Sequence, residues 1–205
     1  MNKKKKSKNW LNKKKRDIFY KESKIQGYRS RSAFKLIEIN KKFKFIKNNM
    51  SLLDLGAAPG GWSQVVSKLV NAGQILSIDI IEMNKLEKVT FMKGNIDDND
   101  FCKKVYMFFD KKIDAVISDM AANTTGNKSL DSFRTSQLSI NAMNLAKNIL
   151  KKDGIFLSKI FMGSSFFEVQ ENAKKIFKKV ILYKPLASKS ESKELYIFCR
   201  GVSIL

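Results

Sequence analysis

The chain has 205 residues, room for one domain and too few for two ordinary ones, and its 43% hydrophobic content excludes disorder throughout. A net charge of +21 points to a polyanionic partner. With no histidine, any general base must be Lys, Asp, Glu, Tyr or Cys, and a histidine triad or His-ligated metal is excluded. From Met1 to Arg16 there are nine Lys/Arg and no acid, so residues 1–28 read as a basic arm ahead of a single domain over 29–205. Residues 30–43 read as an amphipathic helix carrying Phe34, Leu36, Ile37 and Ile39.

Strands and helices then alternate. Residues 51–55 form a short apolar strand. Trp62, Val65, Val66, Leu69 and Val70 fall on one helical face. Strands follow at 74–81 and 89–92, a helix at 101–109, a strand at 113–118 and a long helix at 132–150. Gly154 is placed as the glycine that ends that helix. Residues 155–160 are a strand, and Ser165 with Glu168 reads as a capping box opening a helix to about residue 178. Two last strands, 179–184 and 195–200, have no helix between them, so they pair antiparallel. The expectation is a seven-stranded, doubly wound α/β sheet, mostly parallel, with an antiparallel last strand. No apolar run is long enough to span a membrane, and the two cysteines, Cys102 and Cys199, show neither metal-ligand nor disulfide-framework spacing. These features suit a reducing, cytoplasmic setting.

In such a sheet ligands gather at the carboxyl ends of the parallel strands. The first strand ends in Asp54-Leu-Gly-Ala-Ala-Pro-Gly-Gly-Trp62. Its glycines allow close backbone approach, but the turn lacks the lysine of a P-loop and the spacing of a dinucleotide fingerprint. What remains suits a small, nearly uncharged nucleoside, with Asp79 placed to accept bonds from ribose hydroxyls. Asp119 ends the fourth strand, Lys159 lies in a mostly apolar one, and Glu194 opens the last. A lysine in a buried strand is costly unless paired. With Lys35, these residues make two lysines and two carboxylates that can converge at one edge. Such a set can take the proton of an alcohol without histidine.

These residues resemble the FtsJ-type ribosomal RNA large-subunit 2′-O-ribose methyltransferases. The matching stretches are Gly27-Tyr-Arg-Ser-Arg-Ser-Ala-Phe-Lys-Leu36, the Asp54–Gln64 turn, Ser118-Asp-Met-Ala-Ala-Asn123, Ser158-Lys-Ile-Phe161 and Ser192-Lys-Glu-Leu-Tyr-Ile197. The resemblance implies a Rossmann-like class I S-adenosylmethionine-dependent fold. It implies the catalytic tetrad Lys35, Asp119, Lys159 and Glu194, with cofactor held by Gly60, Trp62, Asp79, Asn95 and Asp119 and no metal. Asn95 replaces the family's aspartate on the adenine side, with Asp97 nearby to compensate, and Ala122 stands where a proline is usual. The implied reaction is in-line attack of a ribose 2′-oxygen on the cofactor methyl, with Lys159 accepting the proton. The implied substrate is a uridine in the A-loop of large-subunit (23S) rRNA, in the assembled large ribosomal subunit. No long exposed apolar repeat suggests a dimer, so a monomer is expected. Arg29 and Arg31 are placed near the target strand. A tRNA 2′-O-ribose methyltransferase, and a non-catalytic RNA-binding assembly factor, are the alternatives.

Overall fold

The computed structural model describes residues 18–123, 125–163, 165–189 and 191–203. Residues 1–17 of the expected basic arm lie outside this set. The described remainder is not a bare arm: residues 18–25 form a helix, α1, and Phe19 packs on Phe34 with ring centroids 5.6 Å apart. No described helix is long and apolar enough to cross a membrane.

Short runs of Leu, Ile, Val and Phe form seven strands: β1 (Leu52–Leu55), β2 (Ile75–Asp79), β3 (Thr90–Lys93), β4 (Ile113–Ser118), β5 (Leu150–Phe161), β6 (Phe177–Tyr183) and β7 (Glu194–Val202). They make one sheet in the order β3-β2-β1-β4-β5-β7-β6. The first five are parallel, and β7 runs antiparallel to both neighbours. The chain winds outward from β1 through β2 to β3, then restarts at β4 on the other side of β1. That reversal opens a crevice above the ends of β1 and β4.

Strand side chains alternate between faces, and the two faces carry different helices. Leu53, Leu55, Val116, Phe156 and Ile197 pack with α4 (Asn99–Phe109), α5 (Lys128–Ile149) and α6 (Phe166–Ile176). Leu52, Ile117, Leu157, Tyr196 and Phe198 pack with α2 (Ala33–Phe43) and α3 (Gly61–Leu69). Leu36 and Ile39 of α2 are fully buried there, and burying a side chain of that size contributes roughly 1.5–3 kcal/mol. Lys159 shares the sheet face of Leu157, which turns it toward α2.

Two local expectations fail. Gly154 does not end α5, whose C-terminal flank is the extended Leu150. Leu150 already pairs with Ile113, and Ile155 with Ala115, so residues 151–154 bulge out of the ladder. A Cβ on Gly154 would sit 2.8 Å from Leu150 Cβ, so its glycine closes the bulge. Ser165 does flank α6, but no side-chain capping bond forms, so the expected box with Glu168 is absent. Helix α5 also begins earlier than expected, where Asn127 caps it by accepting from Ser129 N at 3.1 Å and Leu130 N at 3.2 Å.

Candidate active site

The turn after β1 presses against the end of β4. Gly56 has φ +73°, and a Cβ there would stand 2.6 Å from Met120 Cγ, so only glycine fits. Beyond it, Gly60 flanks the start of α3, whose first amides lack partners within the helix. A cleft of about 370 Å³ opens beside this turn, lined by Gly56, Asp79, Asn95, Asp97, Asp119 and Met120 among others. Ile80, Ile96 and Leu138 give it an apolar wall. Asp79 is oriented by Ala58 N on Oδ2 and Ile81 N on Oδ1, both at 2.9 Å, and each oxygen keeps acceptor capacity.

All four members of the expected tetrad meet next to this cleft. Lys159 is 7% exposed, and its Nζ lies 3.1 Å from Asp119 Oδ1 while also donating to the Asp119 carbonyl. Lys35 Nζ lies 2.7 Å from Glu194 Oε1, and both side chains are largely buried. Strand register explains the convergence: Lys159 pairs with Tyr196 and Phe161 with Glu194. Helix α2 then lowers Lys35 onto the start of β7.

The FtsJ-like methyltransferase family model matches residues 28–202. The chain belongs to that family. A "Ribosomal RNA large subunit methyltransferase E" from Pelagibacter ubique is 50% identical over 194 residues, 95% of this chain and 96% of the relative. A protein of the same name from Rickettsia akari is 42% identical, covering 92% of this chain and 86% of its own length. A solved structure from Plasmodium falciparum, described as a ribosomal RNA methyltransferase, superposes with TM-score 0.77 at 31% identity, over 85% of this chain and 98% of that one. Human methyltransferase-like protein 13, solved with S-adenosylhomocysteine (SAH), shares the fold at TM-score 0.57 and 14% identity, over 80% and 82% of the two chains.

Within this FtsJ-like site two further residues surround Asp119. Tyr196 OH donates to Oδ1 at 2.8 Å, and Ser32 Oγ donates to Oδ2. Burial by itself would raise the Asp119 carboxyl. The charges of Lys159 and then Lys35, with the Ser32 and Tyr196 bonds, outweigh it and hold the group below the usual carboxylate range. Tyr196 is fully buried, and burial with the nearby Asp119 and Glu194 charges lifts its hydroxyl well above 10, so it stays a donor. Both residues carried a signal. Tyr196 is two positions past Glu194, hence on the same strand face, and Ser32 is one helical turn before Lys35.

The other expected site residues have partners within the fold. The Trp62 ring is 2% exposed, packs on Tyr196 at 5.7 Å and donates its Nε1–H to Ser32 O at 2.9 Å. Its side chain is therefore committed to the core, leaving its main-chain N–H at the start of α3 for any ligand. Asn95 Oδ1 accepts from Asp97 N at 3.0 Å, which ties the two residues of the adenine-side expectation into one turn. The Arg29 guanidinium donates to Pro59 O, Asn84 O and Lys85 O, bracing the glycine turn from outside. Arg31 donates to Ala187 O at 2.8 Å. Beneath the turn lies Asp54, fully buried, with Oδ2 accepting from Ser63 and Oδ1 without a partner among the described residues. Burial lifts this carboxyl to about 7, against the Ser63 bond that lowers it, with Asp119 and Asp79 adding to the rise.

Proposed function

We propose that the chain methylates a ribose 2′-hydroxyl of large-subunit ribosomal RNA, at a uridine of the A-loop within the assembled large subunit, with S-adenosylmethionine as donor. The observation that carries the reading is Lys159: a buried strand lysine held by Asp119 beside a nucleoside-sized cleft. The relatives' names supply the ribosomal RNA. The residues of the cleft fit the cofactor. Asp79 would suit ribose hydroxyls, Asn95 and Asp97 would hold the adenine end, Ile80 and Ile96 offer apolar walls, and the amides after Gly60 would suit a carboxylate. When bound, S-adenosylmethionine supplies a methyl group on a positively charged sulfur, which needs no metal to leave.

The chain's own residues then have separate tasks. Lys159 takes the proton of the ribose hydroxyl. Asp119, kept ionised, fixes Lys159 Nζ through its carboxylate and its carbonyl. Ser32 and Tyr196 stop that carboxylate from turning. Lys35 and Glu194 form the wall that receives the ribose. Much of the acceleration then comes from alignment.

The test is transfer of labelled methyl from S-adenosylmethionine to undermethylated large subunits, free rRNA and tRNA. Lys159→Ala is expected to abolish transfer while cofactor affinity survives. Full activity in that variant removes Lys159 as the base. Label only on tRNA moves the substrate, and tight RNA binding without any label favours an assembly factor.

A further inference from the structure

A second pocket of about 260 Å³ lies beside the tetrad, lined by Arg31, Ser32, Lys35, Lys189, Ser192 and Glu194. It meets the cofactor cleft through the Ser32–Asp119 hydrogen bond, since Asp119 lines one cavity and Ser32 the other. The reacting centre therefore sits between the two. Its lining among the described residues is three cations, one carboxylate and two hydroxyls, with no ring or aliphatic side chain on which a base could stack. The carboxylate is already paired with Lys35 at 2.7 Å. Lys189 is exposed at the rim and has no carboxylate partner among the described residues.

The wall bearing Lys189 is held in place from α2. Glu38 accepts from Tyr183 OH at 2.7 Å, Leu186 N at 2.8 Å and Ala187 N at 3.2 Å. Arg31 grips Ala187 O, and Ser188 Oγ donates to Glu194 Oε1 at 2.7 Å. Lys35 and Glu38, one turn apart on α2, thus fix the two ends of the segment between β6 and β7. A cationic side chain on a braced loop, next to a ribose-binding ion pair, is the chemistry of a phosphodiester contact.

We propose that this pocket is a sugar–phosphate subsite: it takes the target ribose and an adjoining phosphate on Lys189, and it does not read the base. The proposal rests on the ribose-methylation reading above. The nucleotide to be methylated is then selected by the fold of the RNA that presents its ribose, not by its base.

The experiment uses the full chain and undermethylated large subunits across a salt series. Lys189→Ala is expected to raise KM for subunits about tenfold at low salt, with a smaller change in kcat. It also lowers the log–log salt slope by about one, and Lys189→Arg restores both. A neutral methylphosphonate beside the mapped target ribose reproduces the KM rise in the native protein and adds nothing in Lys189→Ala. Exchanging the target base leaves kcat/KM within about threefold, less than one base-specific contact is worth. An unchanged salt slope in Lys189→Ala, or loss of methylation on base exchange alone, overturns the subsite while leaving the ribose-methylation reading intact. Absence of transfer by the native protein overturns that reading and the subsite with it.

Discussion

Asp54 makes the pH dependence of stability a quantitative test of burial beneath the glycine turn. Its folded value of about 7 stands above the 3.8 of an ordinary aspartate. Between those values the folded state holds more protons than the unfolded chain, so stability falls as pH rises through this window. The favourable contribution is complete below pH 3.8 and gone once pH passes about 7. Integrated from pH 5 to pH 8, the loss is about 2.5 kcal/mol. Asp54→Asn has no proton to lose. At pH 5 the variant starts behind, because its amide nitrogen replaces the unpartnered Oδ1 and costs about 1–3 kcal/mol. By pH 8 the gap has closed or reversed. Urea unfolding of both proteins at four pH values measures the difference, and the other titrating groups cancel in it. Two parallel stability curves, with a constant gap from pH 5 to pH 8, would refute the reasoning.

Tyr196→Phe removes one of the donors to Asp119 from a fully buried position. The expected cost is about 1–2 kcal/mol of stability, read by thermal unfolding, with a few-fold drop in kcat because Lys159 and Ser32 still hold the carboxylate. Asn95→Asp keeps the acceptor used by Asp97 N and removes the amide donor, so cofactor affinity measured calorimetrically should rise about fivefold, the value of roughly 1 kcal/mol. An unchanged affinity would place Asn95 away from the adenine. Glu38→Ala orphans the buried Ala187 N–H, so the amides of Leu186 and Ala187 should lose hydrogen-exchange protection while those of α3 keep theirs.

Much of this was legible in the chain. Strands β1, β4 and β5 announce themselves as apolar runs because parallel central strands are buried on both faces, and Asp119 and Lys159 stand out at or within such strands, whereas Lys35 and Glu194 join them through the family resemblance. What stayed hidden depends on contacts between distant segments. The bulge at 151–154 is set by pairing with β4, and nothing local distinguishes its glycine from a helix terminator. Arg29 reads as a nucleic-acid contact until the carbonyls of Asn84 and Lys85 are seen against it. Trp62 by itself reads as a core residue, and its ring is found there, whereas the resemblance alone assigns it to the cofactor. Glu38 looks like one exposed acid among lysines, and its three donors come from nearly 150 residues downstream.

The sheet order also dictates when the enzyme comes into being during synthesis. β7 follows β6 in the chain but slots between β5 and β6. Until it emerges from the ribosome, β5 has a raw edge and β6 has no neighbour at all, both open to pairing with another chain. The inserting strand carries Glu194 and Tyr196, so half of the ion pairing and one of the clasps on Asp119 arrive together, last. A nascent chain stalled before that point has the cleft framed and Lys159 beside Asp119, but Lys35 has no carboxylate to meet, so on the proposed reading the ribose wall is completed only with the closing stitch of the sheet.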